Sequence, residues 1–346
     1  MNLFGKHLLC TQDWKVPEIE AVLSLAKDMK KNRYSSKYTS ILKHKTFMMF
    51  FYNPSVRTRQ SFEAAATELG AHAQFLAPTA MRLKTKTTAG ETTEDAAKVI
   101  SRYGCGIGIR ILEDKVAQYG DGEELLREYC EHGSIPVVSM AHDKFHPCQG
   151  FADVMAARER LGSIKKKTIL VTWASGALVR SWCSIQESLL INSRLGMNVV
   201  LAYPEGYGLD PEVMANVRTN CRANNTSFDI THDSIEGYKN ADIVYSRNWM
   251  SPKAYNPDGS GLLKEKEKEM ALKHDKWITT AEKMKITNNA IFTHPMPVDR
   301  GSEVTDEVAS GPRSVIYDAA EDRLHVQKAI MALTMSKYNY KTKKKS

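Results

Sequence analysis

Ser55-Val56-Arg57-Thr58-Arg59 separates two segments of different periodicity. Ahead of it, residues 46–52 read Thr-Phe-Met-Met-Phe-Phe-Tyr, a short continuous apolar run of the kind that forms a strand covered on both faces. After it, Phe62, Ala65, Ala66 and Leu69 fall on one helical face. Two hydroxyls and two guanidiniums therefore sit where a strand turns into a helix. Backbone N–H groups at a helix N-terminus favour anions, and arginine adds paired hydrogen bonds to phosphate. The turn predicts a phosphate site; the plainer alternative is a solvated basic turn with ordinary Ser/Thr capping.

The same alternation runs through the chain. Strands are expected over 47–52, 72–76, 106–111, 136–140, 168–173, 198–202, 242–246 and 290–293. Helices are expected over 16–31, 59–70, 92–102, 122–132, 150–161, 180–195, 211–224 and 320–335. Apolar strands alternating with amphipathic helices predict an α/β fold with parallel sheets covered on both faces. The stretch 248–276, with Pro252, Pro257, Gly259, Gly261 and a charged run from Lys264 to Glu269, reads as one long irregular region.

At 346 residues, 42% hydrophobic and 25% charged, the chain is longer than one core of ordinary size, so two domains are expected. No apolar stretch reaches membrane-spanning length, and the N-terminal residues lack the apolar core of a signal peptide. Cys10, Cys105, Cys130, Cys148, Cys183 and Cys221 are scattered without a Cys-x-x-Cys pair, which reads as reduced thiols in a cytoplasmic protein, with no zinc site. The net charge of +8 comes partly from Lys165-Lys166-Lys167 and from the tail 337–346, read as a disordered solubilising end and not as a nucleic-acid site. A basic balance also suits a phosphorylated, anionic substrate.

Two further clusters join the first. His146-Pro147-Cys148-Gln149 opens a helix, and His294-Pro295-Met296-Pro297 closes an apolar run. Each alone is more often a turn than a site. In this order and spacing they resemble the aspartate/ornithine carbamoyltransferase family, which carries Ser-x-Arg-Thr-Arg, His-Pro-x-Gln and His-x-x-Pro. The resemblance runs from about Leu8 to Met335. It implies two Rossmann-like domains linked by interdomain helices: a carbamoyl phosphate-binding domain over 1–145, completed by a C-terminal helix over 320–336, and an acceptor-binding domain over 146–319.

Carbamoyl transfer requires a neutralised phosphate, a polarised carbonyl and an uncharged amine aimed at the carbon; it needs no metal or cofactor. The resemblance gives Ser55, Arg57 and Thr58, with the turn's N–H groups at Val56, to the phosphate. Arg59 braces the turn. Arg110 is placed to touch phosphate and carbonyl, His146 to donate to the carbonyl oxygen, and Gln149 to accept from the carbamoyl NH2. Arg323 matches a late arginine that reaches carbamoyl phosphate in several members, with a helix-end ion pair as the even alternative. Gly90-Glu91-Thr92, preceded by Arg82, Lys84 and Lys86, resembles a loop lent to a neighbouring subunit, which implies a homotrimer.

The acceptor is read from departures. Val298 stands where aspartate members carry arginine, and no Ser-Met-Gly follows the strand at 242–246, as it does in ornithine members, although 301–308 is ornithine-like. The run from Val244 to Trp249, Thr172-Trp173 and 324–331 resemble the N-acetylornithine and N-succinylornithine carbamoyltransferases and their uncharacterised relatives, which implies a chain knot in the second domain. Against that branch, 174–182 lacks proline, His142 replaces an acid, and Glu303 stands at the position of a modified lysine. Arg180, Arg247 and Arg300 are the cations available to an anionic acceptor, with Asn248, His294, Met296 and Pro297 around them and Trp249 as core or wall. The backbone carbonyl near Pro297 would steady the attacking amine. The expected activity is carbamoyl transfer to an N-acylornithine-like amine. The alternatives are ornithine itself and, in another class, a catalytically silent relative binding an anion or nucleic acid through its lysines.

Overall fold

The computed structural model describes residues 3–78, 90–176 and 179–340. It divides into two compact units, Met1–Phe151 with Glu321–Ser346, and Ala152–Ala320.

In the first unit, β1 (Thr46–Phe51), β2 (His72–Leu76), β3 (Gly106–Ile111) and β4 (Val137–His142) form a parallel sheet in the order β2-β1-β3-β4. The inner strands β1 and β3 are largely apolar because neither face meets water: Phe47, Met49, Phe50, Ile107 and Ile109 are all buried, as are Val137 and Val138 of β4. Edge strand β2 is partly exposed. Helix α1 (Val16–Lys31) buries Ile19, Val22, Leu25, Ala26 and Met29 and ends on Lys30 and Lys31, cations placed at the negative end of the helix dipole. The C-terminal helix runs Ile316–Thr334, and from Glu321 onward it belongs to this unit. Lys30 Nζ holds Asp322 at 2.7 Å and the buried Lys328 Nζ holds Glu68 at 2.9 Å. The Met335 side chain fills the space where a Cβ on Gly106 would stand, so β3 accepts no side chain there.

The second unit is a parallel sheet in the order β7-β6-β5-β8-β9, with β5 (Thr168–Trp173), β6 (Asn198–Ala202), β7 (Phe228–Thr231), β8 (Ile243–Arg247) and β9 (Ile291–Thr293). The helix Cys183–Arg194 is buried along nearly its whole length, polar residues included; Gln186 accepts the Asp210 N–H at 3.1 Å and Asn192 donates to the Ser188 carbonyl at 2.8 Å.

Three expectations change. Edge strand β7 was absent from the sequence reading, because its four residues are mostly solvent-facing and carry no apolar run. The stretch 248–276 is not one irregular loop: Lys264–Ala271 is helical and a 3-10 turn follows over Leu272–Trp277. This helix has no apolar stripe and is docked by a polar anchor, the buried Glu267, which accepts from Ser251 N at 2.7 Å and from Ser251 Oγ at 2.5 Å. The tail is not wholly a solubilising end either, since Tyr340 is buried with its hydroxyl 3.0 Å from Ser24 Oγ. Its last residues, 341–346, lie outside the described residues, as does the loop bearing Arg82, Lys84 and Lys86. Among the described residues no helix is long and apolar enough to cross a membrane, and no group of three acid, histidine or cysteine side chains is arranged to hold a metal.

Candidate active site

The turn after β1 is held from two sides. Tyr52 N–H donates to the Arg110 carbonyl at 2.9 Å, and Asn53 accepts from Leu112 N–H at 2.7 Å while donating to Asp114. These bonds lock the ends of β1 and β3 side by side, with Phe51 in register with Arg110. A register shift between Ile109 and Arg110 against β4 lets Arg110 leave the flat sheet at its C-terminal end, half-buried. Ser55 caps α2 (Val56–Glu68), its Oγ accepting from Thr58 N–H at 3.3 Å. Val56 and Arg57 are exposed in the first helical turn, and Thr58 is buried. Arg59 pairs with Glu63 inside the same helix, its Nε 2.9 Å away, and its guanidinium packs 4.0 Å above the Phe75 ring of β2. A cavity of about 670 Å³ opens here, lined by Tyr52, Ser55, Val56, Arg59 and Gln60 among others.

β4 delivers the second cluster. His142 N–H donates to the Phe145 carbonyl at 3.0 Å, and His142 Nδ1 lies 2.8 Å from Ser139 Oγ. Burial pushes the His142 imidazole down to about 3, so it is a neutral spacer in this turn. Next to it, Asp143 accepts from Gly120 N–H at 2.6 Å and Glu123 N–H at 3.2 Å; burial raises its carboxyl to about 6 against the pull of those donors. The turn is thus fixed just where His146 begins, ahead of the helix Pro147–Leu161.

The structure joins these clusters through the C-terminal helix. Arg323 Nη1 donates to Gln149 Oε1 at 2.8 Å and lies 3.5 Å from His146 Nε2; Nη2 lies 3.4 Å from Thr58 Oγ1. All four side chains are buried. A guanidinium donates only, so its contact casts His146 Nε2 as an acceptor and leaves Nδ1 as the N–H position. Two motifs that are far apart in sequence meet on one cation.

The second unit has its own cluster. Arg247 ends β8 and His294 follows β9. Between them lies Glu303, fully buried, a residue to which the sequence reading gave no role. Its Oε2 accepts from His294 Nε2 at 3.0 Å and Asp299 N–H at 2.9 Å; its Oε1 accepts from Asn248 N–H at 2.8 Å and lies 3.5 Å from Arg247 Nη1. Burial works to raise the Glu303 carboxyl, but Arg247 and His294 overcome it and hold it far below the usual range. His294 Nδ1 accepts from Met296 N–H at 2.9 Å, so the proton sits on Nε2; burial lowers this imidazole and keeps it neutral. Arg247 also donates to the Pro297 carbonyl at 3.1 Å, which gives that carbonyl a partner other than the amine foreseen for it. Arg180 Nη2 lies 3.3 Å from Asp299, and burial together with nearby Arg247 lowers its affinity for its proton. The segment after Arg247 is pinned residue by residue. Asn248 donates to the Ala174 carbonyl at 3.0 Å, and Trp173 donates to the Trp249 carbonyl at 2.9 Å. Trp182 donates to the Met250 carbonyl at 2.8 Å. Trp249, itself buried, donates to the Tyr207 carbonyl at 2.9 Å and forms wall, not a polar contact.

Arg300 does not join this cluster: it pairs with Asp306 at 2.6 Å and with Ser310 at 2.8 Å on a partly exposed edge. Glu91 is exposed just ahead of Thr92, which caps a short helix over Thr93–Ile100. Asp299 was missed, and Glu303 was noted only as the acid standing where one branch carries a modified lysine, because each acts through a three-dimensional neighbourhood.

Comparison with known proteins gives consistent matches. Residues 6–159 match the family description "Aspartate/ornithine carbamoyltransferase, carbamoyl-P binding domain", and residues 173–334 match "Aspartate/ornithine carbamoyltransferase, Asp/Orn binding domain". The chain is 35% identical over 336 residues to an ornithine carbamoyltransferase of Thermococcus kodakarensis, covering 97% of this chain and 98% of that protein. It is 34% identical over 340 residues to an N-acetylornithine carbamoyltransferase of Xanthomonas campestris pv. campestris, covering 94% and 97%. A crystal structure of acetylornithine transcarbamylase complexed with acetylcitrulline superposes with a TM-score of 0.86 at 34% identity, covering 94% of this chain and 98% of that one.

Proposed function

The chain belongs to the aspartate/ornithine carbamoyltransferase family and is a carbamoyltransferase, and from that premise we propose which groups carry the reaction and which acceptor it takes. The first unit binds carbamoyl phosphate. Ser55, Arg57, Thr58 and the N–H of Val56 hold the phosphoryl oxygens, and Arg110 spans phosphate and carbonyl. His146, Gln149 and Arg323 address the carbamoyl group. The observation that carries this reading is the Arg323 bridge, which gathers Thr58, His146 and Gln149 into one buried constellation. The second unit presents an ornithine-like acceptor. Its uncharged side-chain amine attacks the carbonyl carbon, the carbon–oxygen bond to phosphate breaks, phosphate leaves with the electron pair, and the amine nitrogen gives up one proton to the departing phosphate. Donors fixed in advance where negative charge builds on the carbonyl oxygen lower the barrier without reorganisation.

Between the two acceptor names carried by the relatives, the charges of the second unit favour N-acylornithine. Glu303 is engaged by Arg247 and His294, and Asp299 by Arg180. A free α-ammonium would need a carboxylate that these partners already occupy, whereas an acylated nitrogen needs none. The reading also takes the chain to be a cytoplasmic homotrimer, with the loop of Lys84, Lys86 and Glu91 lent to a neighbour. The test is colorimetric detection of ureido product with carbamoyl phosphate and a panel of ornithine, N-acetylornithine, N-succinylornithine and aspartate. We expect N-acyl acceptors to give a kcat/KM at least about tenfold above ornithine. Efficient turnover of free ornithine would reassign the acceptor, and no ureido product with any amine would defeat the reading.

A further inference from the structure

We propose that a cavity beside β9, in the second unit, binds a small carboxylate with an apolar body. The cavity has a volume of about 480 Å³, within the span of ordinary small-molecule sites. None of its lining residues belongs to the cluster of Arg247, Glu303 and His294, so the inference stands apart from the acceptor assignment.

Three pieces of chain form the walls: the helix Ala281–Lys285, β9, and the stretch from the helix Asp306–Ala309 to Arg313. The sequence explains why they stand apart and hold their places. Ala281 contributes no more than a methyl. Gly311 turns back so closely on the preceding helix that a Cβ there would lie 2.5 Å from the Glu307 carbonyl oxygen. Phe292 N–H donates to the Arg313 carbonyl at 3.0 Å, and Val315 N–H donates to the Phe292 carbonyl at 2.9 Å. Thr287 Oγ1 donates to the Met284 carbonyl at 2.7 Å and accepts from Ala290 N–H at 3.0 Å. Arg160 holds the Pro312 carbonyl. The walls are therefore fixed by hydrogen bonds before any ligand arrives, and entry requires no ordering of the chain.

The lining sets the class of ligand. Met284, Phe292 and Val308 offer apolar surface, the last two buried. Lys285 and Arg313 stand at the exposed rim, and among the described residues neither has a carboxylate at ion-pair distance. Glu307 is the one acid of the lining. Two cations against one acid favour an anion, and the apolar floor favours an aliphatic or aromatic body behind it. A neutral apolar molecule would leave both cations unused, and a cationic one would meet repulsion from two sides.

The test is an NMR titration of the wild-type protein, its methionine methyls labelled, with 4-phenylbutyrate and with the neutral 4-phenylbutanamide. We expect a Kd of about 1 mM or tighter for the carboxylate. The amide should bind about fivefold more weakly, the discrimination that exposed cations supply. Intermolecular NOEs from the carboxylate should reach the Met284 methyl, assigned through Met284→Leu. Replacing both rim cations, Lys285→Gln with Arg313→Gln, should bring the carboxylate down to the affinity of the amide, whereas Glu307→Gln should tighten it about twofold. Ala281→Trp, which fills the cavity, should abolish the Met284 NOEs for both probes. If that variant does not fold, the exposed glutamine substitutions carry the test. Equal affinity for the two probes in wild type would overturn the proposal. So would an absence of NOEs at Met284, contact only at Met296 of the acceptor half, or unchanged carboxylate binding in the double glutamine variant or in folded Ala281→Trp.

Discussion

The two units are built on the same parallel α/β plan, yet their polar hubs have opposite sign. In the first, the hub is a cation: Arg323 donates to an amide and a hydroxyl and faces an imidazole. In the second it is an anion: Glu303 is ringed by donors, and each arginine of that cluster has a carboxylate beside it. Arg323 and Arg57, the latter in the first turn of α2, put two guanidiniums where a dianion entering the first unit would gain paired donors. In the second unit the charges already cancel, and an acceptor gains from alignment more than from net attraction. One unit is arranged to bind a strongly charged group, the other to discriminate among weakly charged ones.

If that contrast is right, the largest single effects lie in the first unit. Arg57→Ala and Arg323→Met are each expected to lower carbamoyl phosphate affinity by about a hundredfold to a thousandfold and to abolish measurable turnover, because the first takes a paired donor from a desolvated phosphate and the second takes the buried cation from the carbamoyl end of the same ligand. Calorimetry on the folded variants checks this. Unchanged affinity in Arg323→Met would make Arg323 a helix-end brace and remove the cationic hub from the comparison.

A smaller effect separates binding from chemistry within the same unit. His146 is buried and fixed by the turn that Asp143 and His142 hold, so its imidazole is pre-positioned before substrate arrives. His146→Ala is expected to lower kcat by roughly a hundredfold with carbamoyl phosphate affinity largely kept, as for one donor directed at developing charge. Steady-state kinetics beside calorimetry distinguishes this outcome. An equal fall in affinity would place His146 with the binding groups.

Much of this was legible in the sequence, for identifiable reasons. Strands such as β1 and β5 announce themselves because both faces are buried and the runs are apolar but for threonine. Ser55 could be placed at a helix start because the period changes around it. What escaped was whatever depends on polar anchoring. The helix Lys264–Ala271 has no apolar stripe, and its docking through Glu267 to Ser251 leaves no periodic mark. Glu303 was marked by resemblance as the acid at a modified lysine's position, but its partners appear only when β8 and β9 bring Arg247 and His294 to either side of it. Arg323 could be matched by resemblance, but its bridge to Thr58 and Gln149 spans most of the chain and no spacing rule reaches that far.

The smallest expected effect is the sharpest test of the second unit. The sequence offers Arg180, Arg247 and Arg300 as equivalent cations for an anionic acceptor group. Their surroundings are not equivalent. Arg180 and Arg247 have side chains only 14% and 10% exposed, and they interact with each other and with Glu303. Arg300 is 34% exposed, paired with an Asp306 that is 78% exposed, where solvent screens both charges. Exposed pairs of this kind contribute about 0–1 kcal/mol. Arg300→Ala is therefore expected to leave the acceptor KM within about twofold and stability within about 1 kcal/mol, whereas Arg247→Ala raises the acceptor KM tens of fold, since it removes a buried charge and strands Glu303. Parallel measurement of acceptor KM and urea unfolding in the two variants checks it. A rise in KM with Arg300→Ala as large as with Arg247→Ala would mean that exposure does not sort these arginines, and the anionic hub would lose its claim to organise the acceptor half.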